Sequence, residues 1–401
     1  MTAATLPISG ASGAIHPAHA GVRERWRMTF EARALVLVVA VILAFGLAVL
    51  YSASAIVAMQ AQVNSAFYLW RQLLGVAAGA VIFAVAAKLD AERWKNWAWP
   101  IMGFALVAML VVVLPGTEGI ARRVNGSRRF LFGTSFQPSE LAKFAVVVWT
   151  AMLVVRKGET LRRFSKGLLP FLVVVGALDV LAILEPDLSV AMMLTLVMGI
   201  ILFAGGARVG HFVLLGGLSI PLLWQQMERL QYALLRMASF LDAGSAPQQY
   251  NYQLQQSLIA VGSGGFLGVG FGEGRQQYGF LPLPQTDFIA SNIGEEWGFL
   301  GLALIVALFA AYAWLGMRIA ARARTPFQKL VAVGITATMV ITAYLHVGVV
   351  IGLLPTTGLT LPFVSYGRSN LVLSMFMTGV LANIGSEREK VVGEHASNPL
   401  E

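Results

Sequence analysis

Ten separate apolar runs, each near twenty residues long, recur along this chain at about 34–54, 69–87, 96–114, 138–155, 168–184, 188–205, 209–226, 298–317, 328–353 and 369–385. About twenty apolar residues wound as a helix cross roughly 30 Å of hydrocarbon. In lipid each backbone N–H and C=O must pair inside its own segment, so helices follow rather than open strands. The pattern predicts an all-α polytopic membrane protein with about ten transmembrane helices. Composition agrees, since 57% of the 401 residues are hydrophobic and only 12% are charged, outside the range of soluble domains. The first run follows 33 residues with no small-residue cleavage site, so it reads as a span and not a removed signal peptide.

Ten spans put both termini on one side. The tails and loops of that side hold 19 of the 29 lysines and arginines, mostly in short loops, which marks it as cytoplasmic. The organisation read from this is a cytoplasmic tail over 1–33, a transmembrane domain over 34–385 and a cytoplasmic tail over 386–401. The net charge of +9 is then largely topogenic. Its spread over separate loops argues against a nucleic-acid partner. The absence of cysteine excludes disulfides and thiolate metal sites. His16, His19, His211, His346 and His395 have no metal-ligand spacing, and no Walker motif is present.

The outward segments are about 55–67, 115–137, 185–187, 227–297 and 354–368. The longest, 227–297, lies between spans 7 and 8, and long ordered loops are usually functional. Within it SLIAVGSGGFLGVGFGEGR, residues 257–275, carries seven glycines from Gly262 to Gly274. Such a loop either lets helices approach closely or cradles phosphate through backbone N–H groups. Further on, FLPLPQTDFIASNIGEEWGFLG, residues 280–301, sets Asp287, Glu295 and Glu296 just before an apolar run. Glu295 and Glu296 are expected at the start of the eighth span, where the helix dipole favours acids.

The 115–137 segment carries Arg122, Arg123, Arg128 and Arg129, against the charge bias of an outward loop. They either anchor to lipid headgroups or bind an anionic substrate, since guanidinium forks match phosphate oxygens. In FQPSELAKF, residues 136–144, Pro138 suits a first helical turn and Glu140 the positive helix end. Lys143 lies three residues on, so the two share a face and can pair. An ionisable residue inside a span is expensive and points to function. Asp179 in the fifth span, and Glu185 and Asp187 in LEPDLS, add acids near the outer face. Asp179 is read as the buried partner of a base.

NGSRRF, FQPSELAK, EPDLS, SLIAVGSGGFLGVGFGEG, TDFI with GEEWGFLG, and GLLPTTGLTLPFVSYGRSNL occur in order from about 120 to 385. Together they resemble the SEDS family (shape, elongation, division and sporulation). GLTLPFVSYG and the N-terminal tail resemble its cell-division branch more than its elongation branch. The resemblance implies a peptidoglycan glycosyltransferase that polymerises lipid II at the outer face of the bacterial cytoplasmic membrane during septal wall synthesis. It further implies a cognate class B penicillin-binding transpeptidase and other divisome membrane proteins as partners. The family's essential loop aspartate maps onto Asp287, and its lysine and glutamate onto Lys143 and Glu140. Departures are Leu283 where a glutamate is common, Ala290 and Ser291 after the Thr-Asp pair, and Arg368 in place of a glycine. Arg368 either adds a phosphate contact or alters the loop.

The chemistry has its own logic. Joining a sugar hydroxyl to a polyprenyl-pyrophosphate sugar needs a base and a way to stabilise the departing anion. The lipid-linked donor is already activated, so no ATP site is required. One carboxylate serves an inverting displacement, unlike the pair used in glycoside hydrolysis. The leaving pyrophosphate needs Arg, Lys or a divalent cation (Mg or Mn). Asp287 is the expected general base. The substrate-binding set is Lys143, Glu140, Arg128, Arg129, Asp187, Ser365 and Arg368. Alternatives are a lipid II flippase, an elongation-type polymerase, and a non-enzymatic scaffold.

Overall fold

The structure is a computed structural model. It describes residues 23–391 apart from 118, 122, 125–126, 134–135 and 213–247. Most of the seventh expected span (213–226), the outer part of both tails, the first part of the long outward segment (227–247) and Arg122 lie outside the described residues. The described chain is almost all helix: α1 Phe30–Gln60, α2 Phe67–Lys88, α3 Arg93–Val113, α4 Pro138–Lys157, α5 Leu169–Leu184, α6 Leu188–Ala204, α7 Gln248–Gly264, α8 Ile289–Glu296, α9 Gly298–Ala321, α10 Pro326–Val350 and α11 Arg368–Ile384. Four short strands complete it: β1 Arg23–Met28, β2 Arg123–Val124, β3 Ser127–Arg128 and β4 Ser386–Val391.

Nine of the ten expected spans coincide with described helices, namely α1–α6 and α9–α11. Among the described residues, seven helices are long and apolar enough to cross a membrane, and α6 is a shorter apolar one. Two features differ from the sequence reading. The described part of the long outward segment opens with α7, a polar, glutamine-rich helix that no apolar run announces. The eighth span is preceded by the separate short helix α8, divided from α9 at Trp297 and Gly298, the latter with φ +62°.

Burial sorts the bundle. In α4, 89% of the apolar window is buried, and in α10 78%, against 22% in α2. Helices α4 and α10 are therefore the centre, ringed by helices whose outer faces carry exposed residues such as Trp70, Leu74, Val107 and Val173. Side chains of that kind face lipid in a spanning helix.

Small residues let the ring close. Gly75 and Gly79 on α2 face Leu371 and Met375 of α11, and Gly379 faces Phe83 of α2. This is the small-xxx-small geometry that brings membrane helices into van der Waals contact. A Cβ at Gly379 would lie 2.7 Å from the Phe83 carbonyl oxygen, a backbone atom that cannot swing aside. Gly379→Val is expected to destabilise the protein by about 1–3 kcal/mol through overpacking. Thermal unfolding in detergent should show the fall, and an unshifted transition would count against the seam.

The two ends of the bundle are distinct. At one, β1 pairs antiparallel with β4, Arg322 pairs with Glu31, Thr325 donates to Glu92, and Asn383 accepts from the Ala91 N–H. Apart from Asn383, in the last turn of α11, these residues belong to the basic tails and loops, so the structure gathers that set at one end, with both terminal arms. The opposite end gathers residues near 72, 137, 187, 286 and 365.

Candidate functional site

At that opposite end α4 begins as its sequence requires. Pro138 occupies the first turn, Glu140 lies near the N-terminus, and Lys143 donates to Glu140 at 2.8 Å. Both side chains are about 5% exposed, so a full ion pair sits inside the bundle. It borders a cavity of ≈ 10 Å³, room for about one water, shared with Thr338 and Thr342 of α10, Asn370 and Ser374 of α11, and Pro362. A buried pair is a poor way to gain stability, because desolvation offsets the attraction.

Beside it lies the Glu185–Asp187 loop. Asp187 caps α6 by accepting from the Val190 N–H and pairs with Arg129 at 3.3 Å. Arg129 also donates to the carbonyls of Pro186 at 2.8 Å and Glu185 at 3.4 Å. Burial pushes the Asp187 carboxyl upward, opposed first by Arg129, then by its cap bond and Lys143. The Arg129–Asp187 and Lys143–Glu140 pairs thus share one electrostatic field.

Burial, aided by Asp187 and opposed by Arg129, pushes Glu185 up to about 8 from its ordinary 4.5. Between those values the folded protein holds a proton that the unfolded chain releases, so stability falls as pH rises through that window. Glu185→Gln is expected to flatten this decline and raise the melting temperature relative to the parent near pH 8. Parallel melts from pH 5 to 9 check it, and identical pH slopes would refute it.

Asp287 lies half-buried in the turn before α8, whose N-cap is Phe288. The turn hangs from the last outward segment. The Ser365 hydroxyl donates to the Thr286 carbonyl at 2.7 Å, and the Tyr366 N–H donates to the Gln285 carbonyl at 2.9 Å. Gln72 of α2 donates to the Ser365 carbonyl. Leu283 and Phe363, one on each of the joined segments, hold left-handed backbone at φ +54° and +66°. Bulky residues seldom adopt this conformation unless the surroundings impose it. Because Pro362 lines the Lys143 cavity, one strap, 361–366, reaches both the Asp287 turn and the buried ion pair. Arg368 opens α11, half-buried, and Ser369 accepts from the Gln137 N–H at the start of α4. Arg128, on the β2–β3 ribbon, reaches the Leu114 carbonyl at 3.4 Å.

The expectation for Glu295 and Glu296 is corrected. They end α8 instead of starting a span, the opposite pole of a helix dipole, and both are buried. Glu295 accepts the N–H groups of Arg275 and Gln276. Glu296 accepts the Ser52 hydroxyl of α1. Their backbone carbonyls take the N–H groups of Val269 and Gly270. A Cβ at Gly264 or Gly268 would collide with the carbonyls of Gly294 and Glu296. The glycine-rich loop therefore folds tightly onto α8, and its backbone donors serve these glutamates. Among the described residues the partner of Asp179 is a hydroxyl, Thr195 at 2.6 Å.

Sequence reasoning missed Gln72, Asn370 and the hydroxyls of Thr338 and Thr342, polar side chains inside apolar runs. Among the described residues no three His, Asp or Glu side chains converge as a metal cage. Of the described acids at this end, Glu140 pairs with Lys143 and Asp187 with Arg129.

Comparison with known proteins bears on what this site does. The sequence profile of the cell cycle protein family of FtsW, RodA and SpoVE matches residues 32–390. A Trichlorobacter lovleyi protein named probable peptidoglycan glycosyltransferase FtsW is 36% identical over 367 residues, covering 91% of this chain and 96% of that one. Stage V sporulation protein E of Bacillus subtilis is also 36% identical, over 352 residues, covering 87% and 95%. Among solved structures, a chain from a study titled "Structural coordination of polymerization and crosslinking by a peptidoglycan synthase complex" superposes with a TM-score of 0.72 at 25% identity, covering 88% of this chain and 96% of that one. Thermus thermophilus rod shape determining protein RodA superposes with a TM-score of 0.62 at 25% identity, covering 88% and 95%.

Proposed function

This chain belongs to the FtsW, RodA and SpoVE family of cell cycle proteins, and on that premise we propose that it is a peptidoglycan glycosyltransferase polymerising lipid II for the division septum. Its sugar-bearing substrate approaches from the outer leaflet, with both chain termini in the cytoplasm. Asp287 takes the proton from the acceptor 4-hydroxyl. The freed oxygen attacks the donor anomeric carbon from the face opposite its leaving group. The bond from that carbon to the pyrophosphate oxygen breaks, its electron pair leaves on the undecaprenyl pyrophosphate, and the configuration inverts. Lys143, Arg128, Arg129 and Arg368 supply positive charge to the diphosphate, in a site where fixed charges act more strongly than in water. Glu140 orients Lys143, Asp187 orients Arg129, and Ser365 holds the Asp287 turn. The carrying observation is the strap itself, which ties the only carboxylate of the TDFI turn to the segment lining the Lys143 cavity.

A polymerase of this kind has no crosslinking nucleophile, so its partner is a class B penicillin-binding transpeptidase. The similarity to a chain from a peptidoglycan synthase complex supports that pairing. Equal identity to division and sporulation relatives means the septal role rests on the sequence motifs. The deciding experiment incubates purified, reconstituted protein with lipid II on one leaflet, with and without the transpeptidase and divalent cations. Glycan chains are the expected product. Translocated lipid II without glycan would instead identify a flippase.

A further inference from the structure

Three consecutive residues of the last outward segment are each held by a different side chain. His346, near the outer end of α10, bonds through Nδ1 to the Leu359 carbonyl at 2.8 Å. Asn370 of α11 donates to the Thr360 hydroxyl at 2.7 Å. The Leu361 N–H donates to the Ser365 hydroxyl at 2.9 Å, and that hydroxyl donates to the carbonyl of Thr286, the neighbour of Asp287. A carbonyl oxygen only accepts, so Nδ1 carries the hydrogen in this bond. The ring is 1% exposed, and Nε2 has no partner among the described residues. A buried polar atom left unmatched is costly, so packing alone would favour an apolar side chain here.

We propose that His346 is a positioning residue for glycan synthesis: its Nδ1–H clamps the Leu359 carbonyl and, through Leu361, Ser365 and Thr286, sets the place of Asp287. This rests on the polymerase reading of Asp287 but makes a separate demand on the chain's own backbone. The test compares His346→Leu with His346→Asn in the full chain in nanodiscs, since the asparagine amide nitrogen falls near the Nδ1 position. In the leucine protein, amide exchange at Leu361 and Tyr366 is expected to quicken about tenfold, the order set by one buried hydrogen bond. Its kcat for lipid II polymerisation should fall similarly with KM little changed, and asparagine should restore both. Unchanged exchange and turnover in the leucine protein would overturn the proposal, as would an asparagine protein no better than leucine. If leucine prevents folding, asparagine against the longer His346→Gln gives the same decision. A parent protein that makes no glycan even with the transpeptidase and divalent cations would refute the polymerase reading, while the exchange comparison still decides the clamp.

Discussion

Asp287→Asn protein is expected to insert and fold like its parent and to make at least about a hundredfold less glycan from lipid II. General-base catalysis contributes roughly 10²–10⁴-fold, and the amide that replaces the carboxylate cannot take the acceptor proton. The substitution is nearly isosteric, and the bonds suspending the turn run through the backbone carbonyls of Gln285 and Thr286, which it leaves in place. The N-cap of α8 is Phe288, the residue after the substituted one. A purified polymerisation assay beside a thermal melt separates chemistry from folding. Full activity would remove Asp287 from the base role; lost activity with a lowered melt would leave the turn, not the proton transfer, as its contribution.

The second large effect is at the buried ion pair. Lys143→Met strands Glu140 inside the bundle, and removing one partner of a buried pair costs about 3–5 kcal/mol. Lys143→Met with Glu140→Gln removes both charges, and much of that loss should return. Lipid II turnover should stay low in both proteins, because neither restores a cation to the diphosphate. This divergence between stability and activity is the diagnostic. If the double variant regains turnover together with its melting temperature, Lys143 is only a structural partner of Glu140. The transition temperature in detergent and initial polymerisation rates provide both readings.

How far the sequence revealed this molecule depended on what each segment contacts. Spans such as α1, α4 and α10 were legible because lipid and the bundle core demand apolar side chains at almost every position. The Glu140–Lys143 pair was legible because i,i+3 spacing on a helix fixes which side chains meet. Helix α7 was not, since a glutamine-rich helix at the membrane edge has the composition of a loop. Glu295 and Glu296 were placed at the wrong helix pole because nothing in GEEWGFLG separates one helix from two. The break arises from backbone contact between the glycine-rich loop and Gly298, a meeting of residues about thirty apart in sequence. His346 showed only that it lacked metal-ligand companions, and its carbonyl partner thirteen residues on appears only once the segment folds back.

The suspension of the Asp287 turn has a mechanical corollary. Its carbonyls are gripped by Ser365 and Tyr366, the Ser365 carbonyl is gripped by Gln72 on α2, and α2 lies against α11 along a glycine seam. The carboxylate is thus geared to a pair of rods and not tethered to a free flap. A sliding or tilting of those rods cannot leave it where it was, so whatever leans on the outer flank of α2 has a lever on the reacting atoms.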